Sequence, residues 1–146
     1  MYEYAPNNIN WVDPLGLKCT RLVNEGGKTI LEIVNPFKSG TREYNQLRRF
    51  VKKWEEEIAK RGGSMTRRSL TNAEELASAA WKKRTRKNSP GRFKDKVVGH
   101  VPDASMGGPH ANGTVMALDK SVNSYLGGIT GGIPTGTTYQ GVRLIR

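Results

Sequence analysis

At 146 residues with a formal net charge of +11, the chain is long enough to bury a modest core as one domain and has a surface that attracts polyanions. No apolar run reaches the roughly 18 residues that a membrane-spanning helix needs, and the opening "MYEYAPNNIN" lacks the basic segment and apolar core of a signal peptide, so neither is expected. The single cysteine, Cys19, excludes an intramolecular disulfide and a cysteine-built zinc site.

Residues 1–17 are rich in Asn, Pro and aromatics and follow neither a helical nor a strand period, which predicts an extended segment ending in a turn. Residues 18–40 read as a linker or N-terminal segment, within which "KTILEIV", Lys28 to Val34, alternates enough for a short strand before Asn35-Pro36 breaks it. From Thr41, a natural N-cap, Tyr44, Leu47, Phe50, Val51, Trp54 and Ile58 recur at steps of three and four, and "RGG" at Arg61 to Gly63 supplies a stop. This is an amphipathic helix; the run Glu55, Glu56, Glu57 lies on it beside the inward Trp54 and Ile58, so at least one of these carboxylates is expected in solvent. A second helix begins at Thr71, where Glu74 completes a capping box, with Leu76, Ala80 and Trp81 as its expected inward face and an end before Ser89-Pro90-Gly91. Beyond Lys96 the text turns glycine-rich. Two extended pieces, Thr114 to Asp119 and Tyr139 to Ile145, flank a helical turn or two near Asp119 to Leu126, and the paired glycines read as tight loops. The fold expected is mainly α, one compact domain over 41–146, whose glycine-rich end adds a small β element; an α+β arrangement is the alternative.

Charge is concentrated in the middle. Lys38 to Lys96 holds 18 basic against seven acidic residues, and "WKKRTRKNSPGRFKDK" is its densest part. Lys82, Lys83, Arg84, Arg86, Lys87 and Arg92 there are the candidate nucleic-acid contacts, because each phosphate neutralised releases condensed counterions. The chemistry-bearing stretch is "GHVPDASMGG", with His100 three residues before Asp103. Histidine exchanges a proton near neutral pH, and an aspartate can hold a divalent cation or orient the imidazole, which is the minimum that phosphodiester hydrolysis asks for. From spacing alone the pair is a weak signal, and a satisfied histidine beside a helix-capping aspartate is the stronger reading. His110 and Asn123 are candidate accessory groups.

Two stretches resemble known families. "PNNINWVDPLGL", Pro6 to Leu17, resembles the end of an Rhs (YD-repeat) core, whose shell encloses a C-terminal toxin and cuts itself after the motif's leucine. Asp13 and Leu17 match that self-cleavage motif, and the resemblance implies a toxin beginning near Lys18. "GHVPDASMGG" followed by "VNSYLGG" and "PTGT" is similar to the HxxD toxins of polymorphic toxin systems, which include DNase effectors of type VI secretion. His100, Pro102 and Asp103 match the first element, Asn123, Ser124, Gly127 and Gly128 the second, Pro134, Gly136 and Thr137 the third. The resemblance implies a nuclease using the motif His and Asp with a divalent metal, Mg²⁺, for which Asp103 is the candidate ligand. DNA is the expected substrate and RNA such as tRNA the alternative; a non-catalytic nucleic-acid-binding module is a third reading. It also implies a secreted effector acting in the cytoplasm of a target bacterium, a cognate immunity protein with an acidic surface, and an Rhs shell upstream.

Overall fold

A computed structural model describes residues 9–12 and 20–145. Asp13 and Leu17 of the self-cleavage motif lie outside the described residues. Among the described residues the architecture is α+β, with three α-helices and strands in three small sheets, which corrects the expectation of a mainly α domain.

The largest sheet has the order β1-β2-β3-β8, from β1 (Ile9–Val12), β2 (Thr20–Glu25), β3 (Lys28–Ile33) and β8 (Gly141–Leu144). β1, β2 and β3 run antiparallel, and β8 joins β3 in parallel, with Leu31 opposite Val142. Residues 18–40, read as a linker, therefore carry a hairpin, and its inner residues Leu31 and Ile33 are almost wholly buried. Glu32, on the other face of β3, is also buried and is held by Arg21 and Arg143. Burial raises its pKa, but the two guanidiniums outweigh that and leave it below the ordinary carboxylate value.

α1 (Arg42–Lys60) forms as its periodicity predicts, capped by Thr41, whose hydroxyl accepts from the Tyr44 N–H. It buries Leu47, Phe50, Val51, Trp54 and Ile58, each such side chain worth about 1.5–3 kcal/mol on removal from water. Of the acidic run, Glu55 and Glu56 are exposed, whereas Glu57 is buried on this face and accepts from the Thr114 hydroxyl, 2.8 Å. Glu55 accepts from the Val142 N–H, 2.7 Å, tying α1 to β8.

β4 (Met65–Thr66) pairs with β7 (Thr138–Tyr139). α2 (Asn72–Asn88) starts on the capping box of Thr71 and Glu74. Its inward face differs from expectation: Ser78 and Trp81 are buried, whereas Leu76 is 72% exposed and Ala80 is exposed. The helix lies on the surface along a narrow line, and Leu76, two residues from Ser78 and five from Trp81, falls roughly 140–160° round the helix from it and meets water whatever its hydropathy.

β5 (Val97–His100) and β6 (Val115–Leu118) form the third sheet, with His100 opposite Val115. α3 (Lys120–Gly132) is longer than its expected one or two turns and runs through both Gly127-Gly128 and Gly131-Gly132. Val122, Leu126 and Ile129 recur at helical spacing on its buried face, and that burial outweighs the ~1 kcal/mol that each interior glycine costs.

Candidate functional site

A cavity of about 320 Å³ opens where α1, α2, α3 and the loop after β5 meet. Each element contributes for a local reason. β5 ends at His100, and the following residues turn into a single 3-10 turn, Ala104–Met106, capped by Asp103, whose Oδ2 accepts from the Ser105 N–H at 3.0 Å and from the Ser105 hydroxyl. Gly107 leaves this turn at φ 105°, a left-handed conformation, with the position of a Cβ only 2.8 Å from Met65 Cβ. At Gly108 a Cβ would stand 2.4 Å from the Pro102 carbonyl oxygen, so the two glycines that close "GHVPDASMGG" shape the loop carrying His100 and Asp103. The buried Tyr139 hydroxyl donates to the Met106 carbonyl and accepts from Trp54 Nε1 at 3.0 Å, which pins the end of the turn to α1.

His100 is 5% exposed, and neither ring nitrogen has a hydrogen-bond partner among the described residues. Its ring lies against Trp81, 4.3 Å between centroids and 33° between planes, and the residue lines the cavity. Burial pushes its pKa down to about 4; Lys82 adds to this and Asp103 opposes it. At neutral pH the imidazole is uncharged, with one N–H to give and one lone pair to accept. Asp103 does not hydrogen-bond His100. Its bonds to Ser105 show it acting as the cap, and Oδ1 makes no hydrogen bond among the described residues.

The same cavity is lined by Lys82 from α2, by Arg67, and by Asn123, Leu126, Gly127, Thr130 and Gly131 from α3. Arg67 is anchored: its Nε donates to the carbonyls of Thr130 (3.1 Å) and Ile133 (3.2 Å), and Nη1 to that of Arg68 (2.8 Å). It thereby closes the C-terminal end of α3 and holds a fixed positive charge at the wall.

Of the residues singled out in the sequence, His100, Asp103, Asn123 and Lys82 come together here. His110 does not: it lies off the cavity, with Nδ1 3.8 Å from Glu74 Oε2. The basic cluster divides. Lys83, Arg84 and Lys87 are exposed on α2, whereas Arg86 donates to the Phe93 and Lys96 carbonyls and Arg92 to the Val115 carbonyl. These last two fasten the segment that follows α2. Arg67, Trp81 and Ser105 are site residues that the sequence reading did not place there; only Ser105, two residues after an aspartate, carried a signal, that of a capped turn.

Among the described residues no three His, Cys, Asp or Glu side chains converge in a way that could hold a metal ion. Among the described residues Asp103 is the one carboxylate on the cavity wall. That donor set does not fit a closed protein cage but fits Mg²⁺ bound through one carboxylate, with substrate phosphate and water completing the shell. Among the described residues no helix is long and apolar enough to cross a membrane. Comparison with known families, curated proteins and solved structures finds no match for the chain.

Proposed function

We propose that this chain is a nuclease that hydrolyses phosphodiester bonds of DNA, with His100 as its proton-transfer group. The observation that carries the reading is an imidazole 5% exposed, unpartnered at both nitrogens, on the wall of a cavity that also presents Lys82, Arg67 and Asp103. Buried polar groups are nearly always satisfied, so such a ring is shaped for a partner that enters the cavity.

In this reading Lys82 and the anchored Arg67 receive the phosphate, where their charge opposes the negative charge that grows in the transition state. A neutral His100 accepts the proton of the attacking water as the new phosphorus–oxygen bond forms. The phosphorus–oxygen bond to the leaving sugar oxygen breaks, and that oxygen takes a proton from His100 or from solvent. An entering phosphate also offsets the field of Lys82 and so raises the basicity of His100 when substrate is present. Mg²⁺, where bound through Asp103, would supply further neutralisation of phosphate charge. Lys83, Arg84 and Lys87 extend the positive surface along α2 for backbone contact without sequence readout.

The setting follows from the resemblances: the toxin part of an Rhs effector, secreted into the cytoplasm of a target bacterium. A cognate immunity protein with an acidic face complements the +11 chain. The test is digestion of plasmid DNA and total RNA in parallel, in Mg²⁺ and in EDTA, by wild type, His100→Ala and Asp103→Ala. Degradation of DNA by wild type and its loss in His100→Ala support the reading. Cleavage of RNA alone moves the substrate to RNA, and intact polymers throughout overturn catalysis.

A further inference from the structure

The cavity does not stand alone. A second, more open groove of about 550 Å³ runs from it beneath α2, lined by Arg68, Ser78 and Ala79 among others, and the two share Arg67, Lys82, Asp103 and Ser105. Arg67, Lys82 and Asp103 thus sit at the junction between the chamber and the open groove, whose own wall also carries Arg68 and Glu75. Beyond the junction the chamber walls combine apolar or small residues, Phe50 from α1 and Leu126, Gly127 and Gly131 from α3, with the polar His100 and Asn123. Gly127 and Gly131 lie one helical turn apart, and a Cβ at either meets no atom within 4 Å, so this face of α3 is a flat floor with open space above it. The unpartnered, 5%-exposed His100 faces the same space.

We propose that the chamber takes one unstacked nucleobase while the strand's sugar–phosphate backbone follows the groove, so that the substrate is single-stranded nucleic acid or a duplex with a displaced nucleotide. This rests on the nuclease reading for the chemistry at the junction, but not for the binding. Size decides between one base and a duplex: a space of 320 Å³ is about 7 Å on an edge if cubic, against a major groove alone of ~12 Å in duplex DNA. The chemistry agrees. An aromatic and aliphatic wall with a flat floor suits a planar π face, while His100 and Asn123 offer hydrogen bonds to a base edge. The phosphate of the same nucleotide then falls at Lys82 and Arg67.

Binding of a fluorescein-labelled single-stranded DNA 12-mer, its annealed duplex, and 5′-dAMP is measured in EDTA for wild type, Gly131→Leu and Ala79→Glu, with 12-mer cleavage followed separately in Mg²⁺. Because Gly131 has open space beside it and leucine favours a helix more than glycine does, Gly131→Leu folds and fills the chamber. Base stacking of 1–3 kcal/mol predicts single-strand binding about fivefold or more tighter than duplex binding, and a similar loss of both dAMP and single-strand affinity in Gly131→Leu. Ala79→Glu, which puts a carboxylate in the groove, weakens the 12-mer and leaves dAMP binding unchanged. Equal affinity for single strand and duplex, or unaltered dAMP binding in a folded Gly131→Leu, overturns the proposal even if DNA is cut. The expected binding pattern without cleavage keeps the chamber and removes the nuclease reading instead.

Discussion

Acidification from pH 6.5 to pH 4 destabilises this protein through His100 by a predictable amount. The imidazole titrates near 6.5 when free and at about 4 in the fold, where burial is the largest cause and Lys82 the second. A folded pKa below the unfolded one means that the unfolded chain binds the proton first, so stability falls as pH drops through that window and is level above it. At ~1.4 kcal/mol per pH unit the displacement is worth about 3 kcal/mol, a large part of the 5–15 kcal/mol typical of a domain. Urea denaturation of wild type and His100→Gln across the window isolates the effect, since glutamine does not titrate. Glu32 and Asp119, both held below their ordinary values of 4.5 and 3.8, contribute losses at the acid end that are common to the two proteins and cancel in the difference. The difference in stability between them should change by about 3 kcal/mol from pH 6.5 to pH 4. An NMR titration should place the imidazole midpoint near 4, and inorganic phosphate should raise it. A midpoint near 6.5, with parallel stability profiles, refutes the buried, unpartnered imidazole on which the site is built.

Three further substitutions test the description of α2. Leu76→Lys should leave the thermal midpoint nearly unchanged, within about 0.5 kcal/mol, because the side chain is exposed; a loss of several kcal/mol would place it in the core. Arg86→Ala should cost about 1 kcal/mol in chemical denaturation through its lost carbonyl bonds. Lys87→Ala should leave stability alone and lower the slope of log affinity for DNA against log salt by about 1.

What the sequence disclosed depended on how local the determining interactions are. Thr41 and Thr71 cap within four residues of themselves, so both helix starts were legible as capping signals. The α+β organisation was not, because its strands run from two to six residues and β3 finds its parallel partner β8 more than a hundred residues later. Nothing near Lys28 or Gly141 announces that pairing. α3 was misjudged in length since glycine pairs carry a strong turn signal, while the burial of Val122, Leu126 and Ile129 that overrides it is a tertiary fact. Leu76 misled for the converse reason: its hydropathy is local, and the narrow seat of α2 is not. At the site, His100, Asp103, Asn123 and Lys82 were named from residue type and order. Their convergence, the anchoring of Arg67 by the end of α3 and the Trp81 ring on the imidazole come from packing between distant segments.

The most direct measurement is the rate at which DNA is cleaved by wild type and by His100→Ala proteins shown to be equally folded by circular dichroism. Removing a proton-transfer group predicts a fall of about 10²-fold or more. Cleavage by the folded variant within a few-fold of wild type would contradict the assignment of His100 and with it the central claim.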